Sequence, residues 1–126
     1  MPTPDHVRQI ALSFPETTEQ PHFDKTSFKV GKKIFATLNV PQQRATLKLS
    51  ANDQDLFTIY DPTIIYPVPN KWGKQGWTQI DLTRVPEEML ADALVAAYCE
   101  VAPPKLTAEF MAQLKQKAIE KGEDWE

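Results

Sequence analysis

The chain has 126 residues, 41% of them hydrophobic and 25% charged, with a formal net charge of −3. That length suits one domain with a buried core, and no apolar run nears the ~20 residues that cross a bilayer, so no membrane span is expected. A single cysteine, Cys99, excludes an internal disulfide and fits a reducing compartment; the opening Met-Pro-Thr-Pro-Asp-His lacks the pattern of a secretion signal, so the expected location is cytoplasmic.

In chain order, Thr3 reads as a helix cap with Pro4 at the first helical position, where a missing N–H costs nothing. Val7, Ile10, Ala11 and Phe14 follow at helical spacing, and Pro15 ends the run. From Thr18 to Ser50 the pattern changes to short strands, roughly 19–23, 26–30, 33–40 and 44–50. They are joined at Asp24-Lys25, Gly31-Lys32 and Pro41-Gln42-Gln43. Two registers are open at Gly31-Lys32. A two-residue turn pairs Val30 with Lys33 and Phe28 with Phe35; a three-residue loop pairs Val30 with Ile34 and Phe28 with Ala36. The next strand has one reading, with Ala45, Leu47 and Leu49 inward and Arg44, Thr46 and Lys48 outward.

Ser50 and Asp53 resemble a capping box. It opens a short helix ending near Tyr60, with Leu56, Ile59 and Tyr60 expected on its buried side. Residues 63–67 read as a strand, followed by a basic loop punctuated by Pro67, Pro69, Gly73 and Gly76 and holding Trp72. The strand at 76–82 then places Thr78, Ile80 and Leu82 on one face and Trp77, Gln79 and Asp81 on the other. Trp77 therefore stands on the polar side, where a purely structural sheet more often carries Thr or Lys. Pro86 starts a strong helix with Leu90, Leu94, Ala97, Tyr98 and Val101 along one stripe, and Glu87 and Glu88 suit the positive end of its dipole. Pro103-Pro104 stops it. Thr107 is expected to cap a last helix carrying Phe110, Leu114 and Ala118, ended by Gly122. With no repeat or linker, residues 1–126 read as one α+β domain: an antiparallel sheet of about six strands with the helices packed largely on one face.

The charge is unevenly spread. Residues 21–50 hold Lys25, Lys29, Lys32, Lys33, Arg44 and Lys48 against Asp24 alone, while the acids gather in the helical segments. A negative total argues against a nucleic-acid partner, but the local basic excess argues for one. A solvated sheet face would give the same pattern.

Several blocks, in order, resemble the MmcQ/YjbR family of small bacterial proteins. They include Phe14-Pro15-Glu16, Pro21-His22-Phe23, Ser27-Phe28-Lys29-Val30-Gly31, Lys33-Ile34-Phe35-Ala36, Leu47-Lys48-Leu49, Tyr66-Pro67, Gly76-Trp77-Thr78 and Ala97-Tyr98. The resemblance covers about residues 4–106 and leaves the last helix, 107–121, outside it. Two departures are visible: Gly31-Lys32 stands where the family has Gly-Gly, and Ala102-Pro103-Pro104-Lys105 where it has Ala-Pro-Lys-Lys. The resemblance implies a CyaY-like or double-wing fold. It also implies DNA binding, by analogy with the double-wing domain of a phage transcription activator.

Nucleic-acid binding needs cations for phosphate and, for single strands, aromatic faces for bases. Lys29, Lys33, Lys48, Lys74 and Trp77 are the candidates, with DNA the first partner. The competing reading is a pocket around His22, Tyr66, Trp72 and Trp77 that takes a protein or a small anionic ligand. Trp77 packed under the 68–75 loop, and His22 as a structural imidazole, are the plainer uses of those residues. Neither His6 nor His22 belongs to a metal-ligand spacing, and Cys99 has no neighbouring imidazole. Iron binding of the frataxin kind needs an acidic ridge at the first helix, which offers only Asp5. No catalytic, cofactor or phosphate-loop motif is present, so a non-catalytic binding module is expected.

Overall fold

The computed structural model describes residues 2–22 and 25–120, with the side chains of His22 and Ala118 outside that description. Helix α1 (Pro4–Leu12) starts through a reciprocal cap. The Thr3 hydroxyl accepts from the His6 N–H at 3.3 Å, and the Thr3 N–H donates to His6 Nδ1 at 3.2 Å. Four antiparallel strands follow: β1 (Thr17–His22), β2 (Lys25–Val30), β3 (Lys33–Asn39) and β4 (Arg44–Lys48). Then come α2 (Ala51–Tyr60), β5 (Ile65–Pro67), the short α3 (Lys71–Lys74), β6 (Trp77–Asp81), α4 (Glu87–Val101) and α5 (Pro104–Glu120). The strand order is β1-β2-β3-β4-β6-β5, all antiparallel, so β6 lies between β4 and β5. The chain is α+β, as its pattern predicts.

One face of the sheet carries the core. Phe28, Val30, Ala36, Leu38, Ala45, Leu47, Leu49, Ile80 and Leu82 are buried there, and α4 packs across β3 and β4 with Leu90, Leu94, Ala97 and Tyr98 inward. α1 wedges against α4 and β1. Four rings close this layer. Tyr98 meets Phe14 and Phe110, each at 5.1 Å between centroids, and meets Phe35 edge-on at 5.7 Å. Such tilted contacts add about 0.5–1.5 kcal/mol per pair beyond area burial. The Tyr98 hydroxyl donates to the Pro15 carbonyl at 2.8 Å, so the proline that ends the helical run is also the anchor of the buried phenol.

The hairpin at Gly31-Lys32 satisfies half of each expected register. Val30 pairs with Lys33 across a two-residue turn, whose positive φ falls on Gly31 (63°). A bulge then intervenes, so that Phe28 pairs with Ala36. Phe35 and Ala36 are consequently both buried. At the preceding hairpin Lys25, expected in the turn, pairs with His22 as a strand residue; Phe23 and Asp24 lie outside the described residues.

Three other expectations are corrected. Helix α2 does begin at Ser50, whose hydroxyl accepts from the Asp53 N–H, but Leu56, Ile59 and Tyr60 are 59%, 77% and 51% exposed. Its inner side is Gln54, Phe57 and Thr58, because Gln54 Nε2 donates to the Gly73 carbonyl at 2.9 Å and to Thr78 Oγ1 at 3.0 Å. Those bonds fix the roll of the helix. Thr107 does not cap α5; the helix starts at Pro104, a favourable first position, and Thr107 lies one turn inside with its N–H on the Pro103 carbonyl at 3.0 Å. Gly122, its expected end, lies outside the described residues. The basic loop, finally, contains the single turn α3, capped by the Asn70 side chain on the Trp72 N–H at 2.8 Å.

Candidate functional site

With α1 and α4 packed against the core face, the opposite face of the sheet is open except where the loop carrying α3 lies along it and where the C-terminal end of α4 reaches its rim. Cross-strand partners share a face. The registers link Gln20 to Ser27, Ser27 to Thr37, Thr37 to Thr46, Thr46 to Gln79 and Gln79 to Tyr66. This is one row of hydroxyls and amides crossing all six strands. Ser27 is part of the scaffold as well, since its hydroxyl donates to the Gln20 carbonyl at 3.1 Å.

Beside the row, Trp77 and Lys48 are direct cross-strand partners, and Lys29 pairs with Ile34. A groove of ≈ 500 Å³ runs over Thr37, Thr46 and Gln79 and is lined by Lys25, Ile34 and Trp77 from the sheet and by Val68, Asn70 and Trp72 from the loop. That is a usual size for a ligand cleft. A second hollow of ≈ 440 Å³ adjoins it, lined by Lys32, Lys33, Ile34, Lys48, Trp77, Glu100 and Val101. Ile34 and Trp77 line both.

Two glycines allow the loop to lie where it does. A Cβ on Gly73 would stand 2.0 Å from the Val68 carbonyl oxygen. Gly76 has φ +106°, and a Cβ there would stand 2.0 Å from the Leu49 carbonyl oxygen. The Gly76 carbonyl in turn accepts from the Leu49 N–H at 2.9 Å, joining the loop to the end of β4. The Val68 N–H donates to the Trp77 carbonyl at 3.0 Å, which completes the loop's attachment beside the tryptophan.

The electrostatics divide the face. At one end Arg44 Nη1 lies 3.0 Å from Asp81 Oδ1, so that cation is compensated. Burial pushes the Asp81 carboxyl up, but hydrogen bonds from the Thr83 hydroxyl and N–H and the charges of Arg44 and Arg84 outweigh it and hold the group below its ordinary 3.8. At the other end, Lys29, Lys33 and Lys48 form no ion pair within 4.0 Å among the described residues. Lys48 is half-buried where full exposure is expected, because its ammonium donates to the Gln75 carbonyl. A neutral acceptor fixes the ammonium in place and leaves its charge.

The structure thus brings Lys33, Lys48 and Trp77 together, with Lys29 one strand away. Lys74 is exposed on α3 and lines neither hollow. Trp72, 49% exposed, shares the groove with Trp77, whereas Tyr66 continues the polar row without lining the groove. The His22 side chain lies outside the described residues; His6 serves the α1 cap. Sequence reasoning missed Lys25, Thr37, Thr46 and Gln79 as groove residues. Alternation already put the last two on the polar face, but only the register assembles them. Cys99 is half-buried and burial pushes its thiol up, the opposite of an activated nucleophile. Among the described residues no cluster of three His, Cys, Asp or Glu could hold a metal, and no helix is long and apolar enough to cross a membrane.

A family model described as YjbR matches residues 12–100. The crystal structure of the Deinococcus radiodurans protein DR2400, with a DUF419 domain, is similar to this chain. The two share 25% sequence identity and a TM-score of 0.73, over 91% of this chain and 89% of that one. No curated protein matches the chain.

Proposed function

The chain belongs to the YjbR family, and from that premise we propose that it is a non-catalytic module whose open sheet face binds nucleic acid, DNA first. The observation that carries the reading is the neighbourhood of Trp77. An aromatic ring on a solvent-facing strand has Lys48 directly across from it and Lys33 on the same hollow, with Lys29 nearby and none of these cations ion-paired among the described residues. Cations that are fixed but uncompensated attract phosphate at little reorganisation cost, and ring faces accept bases without regard to sequence. On this reading the domain is of the double-wing type and works in the cytoplasm, where nucleic acid is met.

The groove beside Trp72 and Trp77 favours one other reading, a seat for a protein segment or small anionic ligand, with Tyr66 at its margin. Salt separates the two. Titration of the purified protein with short single- and double-stranded DNA at two salt concentrations is expected to show affinity falling steeply as salt rises. The double variant Lys29→Ala/Lys48→Ala is expected to reduce the log–log slope on duplex by nearly two, at about 0.9 per phosphate contact. No salt-dependent binding of either form at tens of micromolar protein would remove the nucleic-acid reading and leave the groove's.

A further inference from the structure

We infer that the open face takes a single strand in preference to a duplex, with Trp77 as the wall between a seat for a base and a seat for the phosphate that follows it. The inference rests on the nucleic-acid reading and says which form of nucleic acid fits. Two observations support it, and a third sets its strength.

The first is width. Six paired strands span on the order of 24 Å at the usual interstrand spacing of about 4.8 Å. The major groove of B-DNA is only about 12 Å wide and admits one helix or a two-stranded ribbon. A duplex laid on this face therefore meets lysines with its backbone, while its base edges stay out of reach of Thr37, Thr46 and Gln79. A single strand has its bases free to turn toward the sheet.

The second is the difference between the two hollows that share Trp77 and Ile34. On the groove side the floor is Thr37, Thr46 and Gln79, donors and acceptors that suit base edges of any kind. On the other side Lys32, Lys33 and Lys48 line the hollow, a set of cations for phosphate without the hydroxyls and amide of the groove floor. Consecutive parts of one nucleotide, a planar base and an anionic link, match consecutive seats on either side of one ring.

The third is Glu100, the one acid lining the cationic hollow. It makes no ion pair there among the described residues. A carboxylate in that place opposes phosphate, so the hollow sets three ammonium groups against one carboxylate and Glu100 tunes the strength of binding.

The test compares fluorescence anisotropy of a labelled short oligothymidine with that of a duplex of equal length, using the full chain. Oligothymidine is expected to bind about tenfold or more tighter than the duplex, since only it adds stacking to phosphate contact. Trp77→Ala is expected to weaken oligothymidine binding by about 5- to 150-fold, the range that one stacked base supplies. Trp77→Phe, which keeps a ring, should restore most of that loss, and thermal unfolding of both variants separates lost stacking from lost folding. Lys32→Ala/Lys33→Ala should lower the single-strand salt slope by about 1.4, and Glu100→Gln should tighten binding a few-fold. Duplex binding equal to or tighter than oligothymidine, as expected of the Gly31-Lys32 hairpin entering a groove, overturns the inference and leaves the nucleic-acid reading standing. Unchanged oligothymidine binding by a folded Trp77→Ala variant overturns it too. If wild type binds neither probe, both fall.

Discussion

Gln54 and Thr78 join α2 to β6, the strand next to the sheet's edge: the amide of Gln54 donates to the Thr78 hydroxyl at 3.0 Å, and that hydroxyl donates onward to the Gly76 carbonyl at 3.0 Å. The same amide donates to the Gly73 carbonyl at 2.9 Å, so one side chain ties a helix, a strand and the loop that carries Trp72. Removing it leaves part-buried acceptors without their donor. Gln54→Ala is expected to lower stability by about 1–3 kcal/mol, read as a shift in urea midpoint. Gln54→Glu, the same shape without the donors, should be at least as harmful at neutral pH. Wild-type midpoints for both would show that the bonds contribute nothing.

Gly76 and Gly31 both have positive φ, +106° and +63°, yet they differ in surroundings. A Cβ at Gly31 meets nothing within 4 Å, whereas one at Gly76 meets backbone oxygen at 2.0 Å. Gly31→Ala should therefore cost only the conformational penalty, about 1–2 kcal/mol. Gly76→Ala should cost clearly more and should also reduce ligand binding, because the loop must move off β4. Equal costs in a denaturation series would show that the loop yields freely.

Tyr98 combines a buried ring with one hydroxyl bond, and two variants separate them. Tyr98→Phe loses the bond to the Pro15 carbonyl and is expected to cost about 0.5–1.5 kcal/mol. Tyr98→Ala opens a cavity among Phe14, Phe35 and Phe110 and is expected to cost about 3–5 kcal/mol. Calorimetric unfolding of the pair reads the difference directly, and a Tyr98→Ala midpoint near wild type would place the ring outside the cooperative core.

Asp81 links stability to acid. Its carboxyl is held below 3.8 in the fold, so it stabilises the native state while pH stays above the ordinary carboxylate value. That contribution is lost as pH falls from about 3.8 through the lower folded value. Asp81→Asn is expected to be less stable at pH 7, because the Arg44 guanidinium loses its counter-charge, and to show a shallower decline of stability below about pH 4. Urea midpoints measured from pH 7 to pH 3 supply the comparison. Parallel curves for the two proteins would mean that other carboxylates govern acid unfolding.

The strands and their inward residues were legible because burial on one face imposes a period of two, and Leu47, Leu49, Ile80 and Leu82 obey it. The placement of β6 between β4 and β5 was not, since nothing local records which strand comes to lie beside which. Leu56, Ile59 and Tyr60 misled for a related reason. They form an apolar stripe at helical spacing, yet α2 is oriented by the polar contacts of Gln54 with residues some twenty positions away. On the open face, Trp77 and Lys48 could be read from alternation alone. The polar row could not, because it exists only once five registers are fixed. Lys74 stands in a basic loop by sequence, and the turn of α3 places it off both hollows.

The bulge in β3 has a consequence for the far half of that strand. Ile34 lies on the open face, and strict alternation from it would send Phe35 to the core, Ala36 to the open side, Thr37 to the core and Leu38 to the open side. The extra residue at Phe35 inverts that sequence beyond it, so that Thr37 reaches the groove and Leu38 the core. A single inserted residue thus keeps the strand apolar toward the helices from Phe35 to Leu38 while its exposed side changes from Ile34 to hydroxyl and amide. Deleting Phe35 would leave an ordinary ladder with Ile34 and Thr37 still outward and Ala36 and Leu38 still inward, so the bulge is what lets the strand add a core ring against Tyr98 without disturbing the floor of the groove.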